Sequence, residues 1–234
     1  MKSKLLYVMM FALAVFTLTG CDDSTSGMTR ITYYPELTLD GATTIYLDKG
    51  EAFVEPGYSA IMNGEDVTDD VKVTSNVDTS KSGIYTINYS IANADGFSSS
   101  SSRKIIVMDP NDPREGFYNT DPGCYRDYNG QTPYGASYEI MVINNNDGTY
   151  TVEDLLGGWY YYRANYGPNY ALSGVVTIPA DGGAVELVSS YLIGWGDSAN
   201  YMADGKYDAA TGTLSWCLNY TEYPMDFYVT MYKK

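Results

Sequence analysis

The sequence contains no histidine, and this absence removes several kinds of catalytic centre. Serine hydrolases of the Ser-His-Asp type, histidine-activated cysteine enzymes, and nearly all zinc and non-haem iron sites need the imidazole group. We therefore predict no metal site and no cofactor. Paired carboxylates could still form a glycosidase, and five acidic residues of the second half are available for it: Glu139, Glu153, Asp154, Glu186 and Asp197. Their spacing marks no acid–base pair, so the sequence predicts a protein that is not an enzyme.

Basic residues are also scarce. The chain has 14 lysines and arginines against 29 aspartates and glutamates, which gives a formal net charge of −15. Such a charge repels nucleic acid and anionic lipid headgroups. We therefore predict no nucleic-acid partner, and any attachment to a membrane needs an anchor other than surface charge.

Only three cysteines are present, and the first of them, Cys21, belongs to an N-terminal motif. The other two are Cys124 and Cys217, both in the second half of the chain. Outside the reducing cytoplasm these two could form a disulfide. Two buried free thiols are the alternative, and sequence spacing does not decide between them, because a disulfide requires close approach of the two Cα atoms in space.

Long apolar runs are limited to residues 5–17, which follow Lys2 and Lys4 in the layout of a secretory signal. The run ends in Leu18-Thr19-Gly20-Cys21, which resembles the bacterial lipoprotein signal. The resemblance implies a signal peptide over residues 1–20, lipid attached to Cys21, a tether over residues 21–28, and anchoring in the outer membrane or at the cell surface. The alternatives are a signal without lipid and a retained transmembrane helix, for which the run is short.

Sustained helical periodicity is missing from the rest of the chain. Short runs rich in tyrosine and β-branched residues, clearest at residues 84–91, predict an all-β protein. The five serines at 98–102 precede another such run and are interpreted as part of a hairpin. Two prolines, turn formers that cannot donate to a ladder, predict a linker at residues 109–115 between a domain at 29–108 and a domain at 116–234.

The first of these domains resembles the bacterial Ig-like domain first named for pesticidal crystal proteins. The residues that carry the match are 50–60, 66–68, 77–89 and 93–96. The resemblance implies an Ig-like β-sandwich that serves as a spacer, with no catalytic residues to transfer.

The second domain alternates candidate strands with turn residues at 145–148, 181–183 and 210–212. Glycine, asparagine and aspartate at these points suit tight hairpins. Consecutive strands with short connections predict an antiparallel meander, closed as a barrel or packed as a sandwich.

Aromatic residues concentrate in this second domain, which holds all three tryptophans and most of the 25 tyrosines. Tyrosine and tryptophan combine flat apolar faces with polar tips and suit stacking on sugar rings. If residues 158–163 form a strand, Trp159, Tyr161 and Arg163 share one face. Burial in a small core is the alternative role for these rings. The candidate ligand-binding residues are Trp159, Tyr160, Tyr161, Tyr162, Tyr166, Tyr170 and Trp195.

The order of signal, Ig-like domain and tyrosine-rich β-domain resembles lipoproteins encoded near starch-utilisation-type glycan uptake systems. The resemblance implies a non-catalytic glycan-binding or uptake-accessory lipoprotein, whose partners would be polysaccharide or outer-membrane transporter components. The alternative is a structural or protein-interaction module of a cell-surface complex.

Overall fold

The computed structural model describes residues 31–220 and 225–234. The predicted signal peptide, the tether and Cys21 lie outside these residues. Within the described part of the chain, no helix has both the length and the apolar character to cross a membrane.

The N-terminal half forms a β-sandwich, which we call the sandwich. One sheet has the strand order β1-β3-β4, and the other has the order β2-β7-β6-β5, with β2 parallel to β7 and the remaining pairs antiparallel. The strands are β1 (Glu36–Leu39), β2 (Thr44–Asp48), β3 (Tyr58–Met62), β4 (Glu65–Asp66), β5 (Lys72–Ser75), β6 (Gly83–Ala92) and β7 (Ser98–Met108), with a 3₁₀ turn at Thr68–Asp70. The serine pentad is the first half of β7 and pairs with the end of β6, which confirms the predicted hairpin.

The sandwich core forms between the two sheets, and alternate residues of β6 and β7 point into it. Ile87, Tyr89, Ile105 and Val107 are buried there. Arg103 is fully buried, and its guanidinium donates hydrogen bonds to the carbonyls of the facing loops and to Glu55, 3.1 Å away. These bonds offset part of the cost of burying the charge.

The C-terminal half forms one antiparallel sheet that curls into a nearly closed barrel, which we call the barrel. Its order is β14-β16-β17-β18-β8-β11-β12-β13-β15, with β9 pairing to β18 and β10. The strands are β8 (Gly116–Thr120), β9 (Tyr125–Asp127), β10 (Gln131–Pro133), β11 (Glu139–Asn144), β12 (Thr149–Val152), β13 (Leu172–Thr177), β14 (Gly183–Ala184), β15 (Glu186–Leu192), β16 (Ala199–Asp208), β17 (Thr213–Tyr220) and β18 (Asp226–Lys233).

The order of the long strands explains how the barrel closes. Each long strand lies beside the next one in the sequence, and β8 pairs with the last strand, β18. The exception is the consecutive strands β15 and β16: in the described part of the chain no ladder joins them, and an open slit lies between them. Of the two predicted alternatives, the structure therefore has the barrel. Its core contains Tyr118, Ile140, Val142, Tyr150, Val152, Leu172, Val176, Leu214, Trp216, Leu218, Phe227, Val229 and Met231, all buried.

Buried hydrogen bonds join the sandwich to the barrel around residues 109–115. The carboxylate of Glu115 accepts from the hydroxyl of Ser82 at 2.7 Å and from the backbone amide of Asn144 at 3.2 Å. The side-chain amide of Asn146 donates to the carbonyl of Ser82 at 2.7 Å. Burial raises the pKa of Glu115. The domain boundaries stay a prediction, but the segment proposed as a linker is held to both halves of the chain.

The first described residues contact the opposite end of the sandwich. Asn93 donates to the carbonyl of Tyr33 at 2.7 Å, and the rings of Tyr34 and Phe97 lie 5.0 Å apart, all at the turn between β6 and β7. Ser82, which contacts the barrel, precedes the other end of β6. A strand of 10 residues spans about 33 Å, so the sandwich separates the N-terminal side of the chain from the barrel by about this distance.

Candidate functional site

Residues 159–163 form a single π-helical turn rather than the predicted strand. The backbone amides of Arg163 and Ala164 donate to carbonyls five residues earlier, at 3.0 and 2.9 Å. Gly157 and Gly158 precede the turn with φ angles of +58° and +88°, a left-handed conformation that glycine adopts readily. The prediction that Trp159, Tyr161 and Arg163 share one strand face was therefore wrong: β12 ends at Val152, and the two left-handed glycines lead into a helical turn.

The carboxyl group of Asp154 fixes the start of this turn. It is fully buried and accepts hydrogen bonds from the backbone amides of Leu156, Gly158 and Leu172, at 2.9, 3.0 and 3.1 Å. Burial raises the pKa of Asp154 to about 7, although the three amides act in the opposite direction. Asp154 therefore has a structural role and is unavailable as a catalytic acid.

Trp159 and Tyr160, two of the predicted ligand-binding residues, are buried. The Trp159 ring packs against Tyr134 with centroids 5.0 Å apart, and the guanidinium groups of Arg126 and Arg163 lie 4.8 and 4.1 Å from it. The ring is enclosed on all these sides by protein, and cation–π contacts of this kind stabilise its position. The prediction that these two residues contact a ligand directly is therefore corrected: both rings belong to the core and support the surface above it.

Three other predicted residues meet on the surface and form what we call the aromatic patch: Tyr166, Tyr170 and Trp195. The ring of Trp195 lies 5.0 Å from Tyr170 and 6.0 Å from Tyr166, in edge-to-face arrangements. Tyr166 and Trp195 remain 55% and 45% exposed. Exposed aromatic rings offer apolar area to a ligand, so the aromatic patch is a candidate binding surface.

Buried rings support the aromatic patch from below. Tyr160 contacts Trp195 edge-to-face with centroids 4.7 Å apart, and it stacks parallel to Tyr166 at 6.1 Å. Tyr220 of β17 lies 6.4 Å from Trp195 and 6.1 Å from Tyr160. The patch therefore rests on the barrel core, which restricts the motion of its rings before any ligand binds.

The loop that carries Trp195 is held by its own backbone. Gly194 donates to the carbonyl of Asn169 at 2.7 Å, which joins this loop to the segment of Tyr166 and Tyr170. A Cβ atom at Gly194 would lie 2.6 Å from the Tyr170 ring, so only glycine allows the two to pack so closely. Sequence reasoning found the aromatic residues here but not the glycine that brings them together.

Asp197 supplies a polar group beside the aromatic patch. Its carboxylate accepts a hydrogen bond from the hydroxyl of Tyr220, and its carbonyl accepts from the amide of Leu192 at 2.8 Å. Burial, with the bond to Asp197, raises the pKa of Tyr220, which keeps that hydroxyl a donor. Asp197 is only partly buried, and a carboxylate has further acceptor positions for hydroxyl groups of a ligand.

Tyr161 and Tyr162 lie apart from the aromatic patch. Their rings stack on each other with centroids 3.8 Å apart, and Tyr162 continues the stack to Tyr138 at 5.4 Å. Tyr161 borders a groove between the barrel and the sandwich that also contains Tyr191 of β15. Tyr138, Tyr191 and Tyr220 were missed because each lies about 20 residues or more away in sequence from the tyrosine cluster.

Cys124 and Cys217 are free thiols, so the disulfide considered between them is not formed. Cys124 points into the barrel core and exchanges hydrogen bonds with the backbone of Thr230 at 3.2 and 3.3 Å. Cys217 alternates on β17 with the core residues Trp216 and Leu218, so its side chain lies on the other face of the sheet. Burial raises the pKa of both thiols.

The other acidic residues considered for catalysis do not join the aromatic patch. Glu139 forms an ion pair with Lys234 at 2.8 Å, and Glu153 accepts from the amide of Met141 at 3.2 Å. Glu186 is exposed on β15. Within residues 31–220 and 225–234, no group of three or more metal-ligating side chains is brought together.

Two family models together cover nearly all of the described chain. A model for a bacterial surface protein Ig-like domain matches residues 37–107, and a model described as a C-terminal domain matches residues 107–233. The two matches coincide with the sandwich and the barrel. The chain is thus a bacterial surface-type protein with an Ig-like sandwich followed by a β-barrel of a recognised family.

The chain is 37% identical to the lipoprotein BT2262 from Bacteroides thetaiotaomicron, over 86% of this chain and 100% of that one, with a TM-score of 0.62. The chain belongs to the same family as this lipoprotein. The match to the lipoprotein and the match to the surface Ig-like domain together support a cell-surface lipoprotein.

Two structures of ZmpB from Clostridium perfringens also match, each at 19% identity. One contains CBM51-2 in complex with GlcNAc and INT domains; the match covers 50% of this chain and 29% of that one, with a TM-score of 0.27. The other contains the M60 catalytic domain with CBM51-1 and CBM51-2; the match covers 53% of this chain and 15% of that one, with a TM-score of 0.29. Scores this low do not establish a shared fold. The comparison with curated proteins gave no match.

Proposed function

We propose that this protein is a non-catalytic glycan-binding lipoprotein of the outer membrane or cell surface that assists glycan uptake. The observation that carries the proposal is the aromatic patch: Trp195 and Tyr166 are exposed and in contact, and buried rings hold them in place. A surface that is ordered before binding loses little conformational entropy when a ligand docks.

The chemistry of the aromatic patch fits a sugar. The flat faces of Trp195 and Tyr166 offer apolar area to the C–H groups of a pyranose ring. The Asp197 carboxylate, two residues after Trp195, has further acceptor positions for sugar hydroxyls. Stacking contributes on the order of 1 kcal/mol per ring, so a site of this size binds in the micromolar-to-millimolar range.

Titration calorimetry against a polysaccharide and oligosaccharide panel tests this function, using the chain without residues 1–21. We expect binding by the wild type and a loss of about fivefold or more in affinity for Trp195→Ala. Phe97→Ala is the matched control, because it removes a similarly exposed ring (47% exposed) at the opposite end of the sandwich. Equal affinities for wild type and Trp195→Ala would contradict a role for the aromatic patch.

The proposed location rests on Cys21 and on the separation that the sandwich provides between its N-terminal end and the barrel. Lipid on Cys21 would anchor the chain, and the sandwich would hold the aromatic patch away from the membrane. We expect the wild type in the membrane fraction and Cys21→Ala in the soluble fraction. Digestion of intact cells with a protease should degrade a surface-exposed protein, whereas protection would place it on the inner side of the outer membrane.

A protein-interaction module is the second candidate, and the slit between β15 and β16 favours it. The two facing edges border an open space of about 810 Å³. Two hydrogen bonds of 2.9 Å cross it, from the amide of Ala199 to the hydroxyl of Ser190 and from the amide of Val185 to the carbonyl of Gly205. Open sheet edges accept strands of other polypeptides. If no glycan in the panel binds the folded wild type, this second function, as part of an uptake complex with a transporter, becomes the better proposal.

A further inference from the structure

We infer that the aromatic patch is one end of a longer binding surface, and that its ligand is a neutral glycan of several sugar units rather than a single sugar or a chain end. This inference rests on the proposed function and adds the class and length of the ligand. It is carried by a groove between the sandwich and the barrel, which we call the junction groove.

The junction groove has a volume of about 570 Å³, within the range of small-molecule sites. The sandwich contributes Ile84 of β6 and Lys104 of β7. The outer wall of the barrel contributes Met141, Tyr161, Tyr191 and Ile193. Three of these side chains are strongly exposed, Ile84 at 44%, Tyr191 at 55% and Ile193 at 67%, which is unusual for large apolar groups that meet in one depression.

The junction groove and the aromatic patch are built on the same two segments. Tyr191 and Ile193 come immediately before the loop of Trp195, and a Cβ atom at Gly196 would lie 3.8 Å from the Tyr191 hydroxyl. Pro168 and Ala171, which flank Tyr170 in the sequence, also line the groove. A ligand that leaves the aromatic patch along this side therefore enters the junction groove directly.

Tyr191 is placed to act as a further stacking platform. It faces outward on β15 and pairs across the ladder with Ser173, whose small side chain leaves the tyrosine ring uncovered. One sugar ring stacks on one aromatic face at a time, so a single sugar stacked on Trp195 does not also stack on Tyr191 and Tyr161 of the groove. Occupying all three requires a chain of linked sugars.

The charges argue for a neutral chain. Lys104 and Glu153 both line the junction groove, so the lining contributes one charge of each sign, and Asp197 adds a negative charge beside the aromatic patch. The whole chain has a net charge of −15. A polyuronate or sulfated glycan would approach this surface against electrostatic repulsion.

Calorimetry with defined oligosaccharides tests the inference. The probes are malto-, cello-, manno- and xylo-oligosaccharides from disaccharide to hexasaccharide, with oligogalacturonates of the same lengths as the anionic counterpart. For a neutral series that binds, we expect affinity to rise with length in the wild type. Tyr191→Ala should lower the affinity for the longest oligosaccharides about fivefold and leave the disaccharide affinity unchanged. Trp195→Ala should lower the affinity for oligosaccharides of every length.

Tyr191→Phe is the matched control, because it keeps the ring and should keep the gain with length. Thermal unfolding of each variant checks that the fold is intact. Equal affinities for disaccharide and hexasaccharide, combined with weaker binding by Trp195→Ala, would overturn the inference but leave the proposed function standing. Tighter binding of oligogalacturonates than of neutral oligosaccharides would overturn the inference that the ligand is neutral. A wild type that binds no probe would reject both the function and the inference.

Discussion

The Asp154 carboxyl group lies in the barrel core, where its three amide donors come from the loop before the π-helical turn and from the start of β13. Asparagine has nearly the same shape, but its amide group would place N–H atoms against at least one of these donors. We expect Asp154→Asn to lower the free energy of unfolding by about 1–3 kcal/mol, measured by urea denaturation.

The effect of pH on this variant has a defined sign. Burial raises the pKa of Asp154 in the folded protein to about 7, above the value of 3.8 for an unperturbed aspartate, so the folded state holds the proton more tightly. The contribution of Asp154 to stability is therefore full below about pH 4 and declines as pH rises to about 7. The stability difference between wild type and Asp154→Asn should narrow over this range. A difference that widens with pH would show that the three amides keep the carboxylate ionised.

Single residues also show what the sequence could and could not predict about the site. Tyr166, Tyr170 and Trp195 were among the candidates and do meet on the surface. Trp159 and Tyr160 lie in a stretch of sequence equally rich in aromatic residues, but their side chains are buried. The difference lies in which neighbours cover each ring, and those neighbours, such as Phe227 and Tyr220, come from strands far away in the sequence.

The π-helical turn shows the same limit for a whole element. Its five residues, Trp-Tyr-Tyr-Tyr-Arg, have high intrinsic strand propensity, and propensity alone predicts a strand. The signals that overrule it are Asp154 and the glycine pair just before the turn. By contrast, β6 and the hairpin of β11 and β12 were predicted correctly, because alternation and local turn residues agree with the final fold. The choice between barrel and sandwich depended on the pairing of β8 with β18, which no local pattern reports.

Two glycines with similar φ angles make it possible to separate the backbone and steric contributions to the π-helical turn. Gly158 and Gly148 have φ angles of +88° and +92°, but a Cβ atom would lie 2.9 Å from the Tyr138 ring at Gly158 and would meet nothing within 4 Å at Gly148. Both alanine substitutions cost about 1 kcal/mol or more for the left-handed backbone. We expect Gly158→Ala to cost about 1–3 kcal/mol beyond Gly148→Ala, because the Tyr138 ring must move. Equal costs in thermal or urea unfolding would assign the turn to backbone conformation alone.

At the scale of the whole molecule, the contacts around Glu115 predict how the two halves respond to a protease. Glu115 accepts from Ser82 of the sandwich and from Asn144 of the barrel, and its side chain is 2% exposed. We expect residues 109–115 to resist limited proteolysis in the wild type, since cleavage requires local unfolding. Glu115→Gln should increase cleavage there, because its amide group faces donors.

Glu139→Gln is the control for this experiment, since it removes an exposed carboxylate of the barrel that forms an ion pair with Lys234 at the surface. Its cleavage rate should equal that of the wild type. Rapid cutting of the wild type within residues 109–115 would show instead that the segment behaves as the flexible linker expected from its prolines.

The fixed junction at Ser82 and Glu115 has a mechanical consequence. If the barrel does not rotate relative to the sandwich, the two halves move as one rigid body. That body would tilt about the end of the sandwich that contacts Tyr33 and Tyr34. A small change of tilt at that end then produces a much larger displacement of the barrel. The orientation of Trp195 relative to the membrane is accordingly set at the N-terminal end of the sandwich, far from the ring itself.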